Sequence, residues 1–362
     1  MAYPTVAPET CVDRPGLSLI GPAPEFDQAG RLELIKQMTE STGISEIDSV
    51  TWAFLWLADM SKLGPLAEFS KNPVASSMLS SCLMRDYYPA LRDWLRKFRN
   101  TDAGKRKEPP TEYASPRDAE FVCKTSGEPV LNSTTRSAKA ADDTADRDQH
   151  KCIVTRAGEP LEIAHMVSFA LGVRHQRRTE RAKFWGILSC FWSADRIKRW
   201  QSAIFENGTE TAKNLLCVCT HVHRLWETAR FALRPVKKTT TELELEFYWL
   251  PDALRKNVEP GNKPNIGHYI ASPKNCILCD CYTHELIKSG RVIKMTTPDP
   301  EKLPLPSFEV LELQWYLHRV AAISGAADFV EDSDDDDDDD DDDLEDVRLV
   351  ERPIAPGVVG RT

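Results

Sequence analysis

No run of the 362-residue sequence approaches eighteen uninterrupted apolar residues, which excludes a membrane-spanning helix of ordinary length. The opening MAYPTVAPETCVDRPG lacks a basic start followed by an apolar core, so it predicts no secretory leader. Without a leader, the ten cysteines read as reduced thiols of an intracellular protein, nuclear or cytoplasmic, not as a disulfide framework. Lys and Arg are missing from residues 331–346 (EDSDDDDDDDDDDLED), which carry fourteen acids. Ten consecutive aspartates repel one another and bury nothing, so 326–362 is expected to be a disordered acidic tail. Large apolar groups are scarce over 100–146, the profile of a polar linker.

What remains is a mildly basic body. The net charge is −10, and setting aside the fourteen acids of 331–346 turns it into +4. The basic excess is concentrated in 147–238, where 17 Lys and Arg stand against 8 Asp and Glu. Such a centre suits phosphate-bearing partners, because each phosphate neutralised releases counterions. The acidic tail is a candidate ligand for that same centre or for a separate basic protein. Lys105-Arg106-Lys107 has the form of a short nuclear-import patch.

Organisation follows from periodicity and punctuation. Apolar residues at helical spacing from 31 to 62, with a break at Thr42-Gly43, a mark at Gly64-Pro65 and a helix over 77–99 interrupted at Pro89, predict a helical N-terminal module over 1–99. After the linker, 147–325 reads as one mixed domain. Lys151 to Val154 and Leu161 to Met166 are short β-like runs, expected to pair as a hairpin, and 179–205 has helical periodicity up to a turn at Asn207-Gly208. A strand over 214–219, a helix from about 221 to 230 capped by Thr220, and a strand over 231–235 follow. Residues 241–250 alternate as a strand, 287–296 suggests another, and 307–323 reads as an amphipathic helix capped by Ser307. The fragment CKTSGEPV at 123–130 echoes CIVTRAGEPLEI at 152–163, without the His that follows the second copy.

The polar residues of the centre fall in the order Cys152, Thr155, Glu162, His165, Asn214, His221, His223 and Glu227. One His ends a strand, an Asn begins the next, and a second His lies in the first turn of the following helix. In this order RDQHKCIVTRAGEPLEIAHMVSF (147–169), NGTETAKNLLCVCTHVHRLWETARFALRP (207–235) and TTPDPEKLPLPSFEVLELQWYLHRV (296–320) resemble the HNH nuclease family, in a subgroup of uncharacterised fungal proteins. The resemblance covers roughly half of the chain.

It implies an α+β fold with a ββα-metal unit interrupted by helices and flanked by strands. It also implies a metal-dependent endonuclease that hydrolyses phosphodiester bonds of DNA. By the resemblance His165 is the general base, Asn214 the residue that orients it, and His223 the helix-borne ligand of one divalent cation (Mg, Mn, Ni or Zn). The second metal ligand stays open between Glu227, His221 and Glu162. His223 and Glu227 are four apart on one helical face, whereas Glu162 and His165 alternate to opposite faces of a strand.

Three positions depart from the family pattern. Ala164 stands where many members have a metal-binding Asp or His, Arg156 replaces a Gly, and Ser168 replaces a Pro. A catalytically inactive scaffold that binds nucleic acid or protein is therefore the alternative, with a structural interaction protein as a third reading. Cys152 lacks its usual second cysteine, since Thr155 stands there, and reads as core. Cys276, Cys279, Cys281 and His284 have ligand types at zinc-like spacing and form a separate candidate zinc knuckle.

Overall fold

Residues 31–42 form helix α1 because Ile35 and Met38 fall three apart and are buried, and Gly43, at φ +68°, ends it in the left-handed conformation. In α2 (Ser49–Leu57) the Asp48 side chain accepts from Val50 N at 2.8 Å, and every residue of SVTWAFLWL is buried. Helix α3 (Met60–Phe69) runs straight through Gly64-Pro65, where a break was expected. Its buried Leu63 and Ala67 pack towards α1, and that contact outweighs the one N–H the proline removes. Helices α4 (Pro73–Leu83) and α5 (Tyr88–Leu95) follow; Pro89 sits in the first turn of α5, so the interruption falls just before it. The computed structural model describes residues 21–95, 137–168, 171, 178–206 and 208–328. The expected import patch, the 123–130 echo and the acidic run lie outside them.

The expected linker 100–146 is helical at its end, where α6 (Ala138–Arg147) is capped by Ser137, whose hydroxyl accepts from Ala140 N at 3.2 Å. Its sequence AKAADDTADR has no large apolar residue, and for that reason reads as linker; its small buried Ala140 and Ala145 let it approach the central strands closely.

Strand β2 (Leu161–His165) pairs antiparallel with β3 (Leu215–Cys219), from Leu161 opposite Cys219 to His165 opposite Leu215. This corrects the expected hairpin of 151–154 with 161–166. Residues 153–155 form a turn, and the partner strand arrives from fifty residues downstream. Between the two strands lie α7 (Arg178–Phe191) and α8 (Ala194–Phe205). Helix α9 (Thr220–Glu227) follows β3 directly, with Cys219 at the cap position and Thr220 already helical. Thr220 is thus not the cap; its side chain hydrogen-bonds Glu162 instead.

Downstream, β4 (Phe231–Lys238), β5 (Glu242–Trp249) and β7 (Arg291–Thr296) form an antiparallel sheet in that order, while β1 (Ile47–Asp48) pairs with β6 (Asn257–Val258). Helix α10 (Phe308–Ser324) is capped by Ser307 as expected, but it is buried on all sides and is not amphipathic. Arg319 lies inside because Glu25 pairs with it at 2.7 Å and its guanidinium stacks 4.0 Å from the Trp315 ring centre. One apolar core runs through the N-terminal helices, the central strands and α10. Polar ties follow it, including Trp56 Nε1 to the Pro260 carbonyl at 3.0 Å and Ser49 Oγ to the Ser324 carbonyl at 2.6 Å.

One buried cation fixes the central strands. Arg147, at the end of α6, donates to the carbonyls of Ala212 (2.6 Å), Leu215 (2.8 Å) and Pro304 (3.0 Å). Its remaining N–H groups meet both oxygens of Asp148 at 2.8 Å, and Asp148 accepts from Cys217 N at 2.9 Å. Arg147→Ala would strand three carbonyls and a buried carboxylate, so denaturant unfolding should show a loss of about 3–5 kcal/mol. A loss under about 1 kcal/mol would contradict the clamp.

Candidate active site

The site is built on the β2–β3 ribbon and the helix that leaves it. Successive side chains of β2 alternate, so Glu162 and Ala164 share one face while Leu161, Ile163 and His165 share the other. Helix α9 supplies His223 to the first face. Glu162 hydrogen-bonds His223 Nδ1, and Glu227 Oε1 lies 3.6 Å from His223 Nε2. All three side chains are largely buried. Glu227 is also held by Arg224 at 2.9 Å. The hydrogen bond from His223 lowers the Glu162 pKa against the opposing effect of burial, with Thr220 adding a second hydrogen bond. Ala164 is buried and brings no ligand atom.

His165, at the end of β2, meets a different acid. Its Nε2 is 2.7 Å from Glu210 Oε1, and Glu210 Oε2 accepts from Ser137 N at 2.9 Å, at the start of α6. With Glu210 accepting, Nε2 carries the proton and Nδ1 remains the acceptor. Asn214 is fully engaged in shaping this end of the ribbon. Its Oδ1 accepts from Val167 N at 2.9 Å, its Nδ2 donates to the Val167 and Thr209 carbonyls at 2.8 and 2.9 Å, and its carbonyl accepts from Met166 N at 2.9 Å. It therefore holds the segment after His165 and the turn that carries Glu210.

The other expected site residues separate from these. His221 Nε2 lies 3.2 Å from Cys276 Sγ, in contact with the cysteine loop and not with His223. Cys279 bridges to Leu286, and Cys281 N donates to the Thr155 carbonyl at 2.8 Å. Among the described residues no group of three or more His, Cys, Asp or Glu side chains is arranged to hold a metal ion, the four of the expected zinc knuckle included. The loop is organised by Asp280 instead. Burial would raise its pKa, but Arg156 and the N–H groups of Tyr282 and Thr283 hold it down to about 2, and Arg291 pairs with it at 2.9 Å. The departure at Arg156 thus has a structural purpose. Cys152 is core, as expected. Thr155 N donates to its sulfur at 3.4 Å, and the Cys152 thiol hydrogen-bonds Cys219, which lowers the Cys219 pKa to about 6.

One residue escaped the sequence reading, and the contact of another did too. Glu162, a candidate ligand weighed by its strand face relative to His165, meets His223 from α9. Glu210 lies in the turn GTETAKN, where only its spacing four before Asn214 marks it.

Residues 152–234 match the model of the HNH endonuclease family. The match spans β2, α7, α8, β3, α9 and the first half of β4, so the Glu162–His223 and His165–Glu210 pairs both lie inside the HNH segment. No curated protein and no solved structure matches the chain. No helix among the described residues is long and apolar enough to cross a membrane.

HNH nucleases generally use a divalent metal. The donor types at His223 suit one, because an imidazole nitrogen from α9 meets the Glu162 carboxylate, while Glu227 lies at the opposite ring nitrogen and completes no group of three.

Two outcomes follow. Asn214→Asp keeps the size but sets a carboxylate oxygen against two carbonyls, and should cost about 1–3 kcal/mol in thermal or denaturant unfolding; an unchanged midpoint would contradict the bridging role. Asp280, depressed when folded, contributes stability above its unfolded pKa of about 4 that is lost as pH falls towards 2. The stability gap between the native chain and Asp280→Asn should be constant above about pH 5 and close below pH 3; a gap independent of pH would contradict it.

Proposed function

We propose that the HNH segment is a metal-dependent endonuclease that hydrolyses phosphodiester bonds of DNA. The observation that carries the reading is the division of labour on one ribbon: an imidazole–carboxylate pair at the strand end, and an imidazole with two carboxylates on the helix-facing side. His165 acts as general base through Nδ1, taking a proton from the attacking water. Glu210 holds the ring by Nε2 and stabilises the imidazolium that results, as a carboxylate does for a catalytic histidine elsewhere. Asn214 acts through His165 by fixing the backbone that follows it.

Glu162 and His223 would hold the cation through Nδ1, and Glu227, at the opposite ring nitrogen, would orient the imidazole; this puts Glu162 in the place that Ala164 leaves vacant two residues along the same strand face. When bound, the cation supplies charge stabilisation at the phosphate and the leaving oxygen. His221, turned towards Cys276, has no part in this reading. The acidic stretch 331–346 remains a proposed competitor for the basic centre or a contact for a basic protein.

Purified full-length chain should nick supercoiled plasmid in Mg, Mn or Ni and not in EDTA. His165→Ala should reduce the rate by about 10²–10⁴, and Glu210→Gln should reduce it less while shifting the pH–rate profile. Plasmid bound but uncut in every metal would overturn the nuclease reading and favour an inactive nucleic-acid-binding scaffold.

A further inference from the structure

An open cavity of about 660 Å³ lies beside the HNH segment, where β4 runs into its turn with β5. Lys213, Lys237 and Lys238 line it over a floor that includes Leu305 and Phe308. Both Lys237 and Lys238 sit at the end of β4, just past the register shift between Pro235 and Lys237, and both line the cavity. The one acid in the lining is Glu309, which already accepts from Ser307 Oγ at 2.9 Å. Glu244 lies opposite Lys237 in register, on the neighbouring strand, and does not line the cavity. Lys238 donates to the Pro306 carbonyl at 2.8 Å, and burial together with the nearby Lys213 and Arg147 cations lowers its pKa despite the attraction of Glu309. The lining thus holds three lysines and one acid.

Its position is as informative as its charge. Lys213 immediately precedes Asn214 and follows Glu210 by three residues, a reach of at most about 11 Å along the chain. One strand of duplex carries a phosphate per about 3.4 Å of axis. The cavity thus begins within about three phosphates of the acid that holds His165.

We infer that this cavity is a subsite for the phosphodiester backbone of the substrate nucleic acid, seating phosphates that flank the one being cleaved. The inference rests on the nuclease reading for the nature of the strand. An open, lysine-lined depression with apolar residues in its floor suits a chain of phosphates and sugars; it is too open to enclose a small ligand.

The test is fluorescence anisotropy of labelled duplex DNA with the full chain in EDTA, over a series of NaCl concentrations. Lys237→Gln/Lys238→Gln should raise Kd about tenfold and reduce the slope of log affinity against log salt by about two. Lys71→Gln/Lys263→Gln, which removes two exposed lysines elsewhere, should leave both near native values. A pocket variant with native Kd and slope, or a control that shifts as far, would overturn the subsite. An affinity that rises in the pocket variant would assign the cavity to the chain's own acidic stretch 331–346, and would also overturn it. Because EDTA separates binding from cleavage, the two readings fail apart. A chain that binds through these lysines yet never cuts plasmid loses the nuclease reading alone, and one that cuts while the pocket variant binds normally loses the subsite alone.

Discussion

The guanidinium of Arg147 is the interaction on which the rest of the architecture depends. It spends its donors on three main-chain carbonyls that belong to different segments, the turn before β3, the first residue of β3 and the loop before α10. Asp148 returns the charge and accepts from β3. A two-stranded ribbon is marginal by itself, since it offers little apolar face to bury. Here it is pinned at one end by a buried ion pair, covered by α9 on one side and approached by α6 on the other. The same clamp that makes the ribbon stable also sets the position of Asn214, one residue before β3.

From that fixed ribbon the two polar pairs take their separation. Alternation along β2 sends Glu162 towards the helix and lets His165, at the strand end, turn to Glu210. The segments that complete each pair come from elements the clamp holds in place: α9 directly after β3, and the 208–214 turn directly before it. Buried charged groups are tolerated in both because each has a partner; Glu162 has His223 and Thr220, and Glu210 has His165 and the Ser137 N–H. An ordered polar network of this kind lets two acids sit within a few residues of an apolar core.

Much of this was legible in the residues themselves. The helix breaks at Gly43, the cap at Ser307, the alternating β5 and the strand–helix placement of Asn214 and His223 all rest on local chemistry that acts within a few positions. What was not legible depends on distance along the chain. Lys151 to Val154 look like the natural partner of 161–166, and nothing local says that β3 replaces them. Helix α6 reads as linker because its packing uses alanines, whose contribution comes only from the surface they approach. The mixture of polar and apolar residues in α10 suggested a solvent face, and only the distant Glu25 explains how Arg319 can be buried. The contact of Glu162 with His223 was hidden for the same reason, since that histidine comes from α9 sixty-one residues away.

The central claim is that the helix-facing side of the ribbon holds a cation and the strand end holds the base, as two separable functions. Mn(II) binding, followed by electron paramagnetic resonance on the full chain, tests it most directly. The account predicts one bound ion for the native chain, weakened at least tenfold by Glu162→Gln or His223→Ala and retained by His165→Gln. Binding that is indifferent to Glu162 and His223, or that is lost with His165, would contradict it.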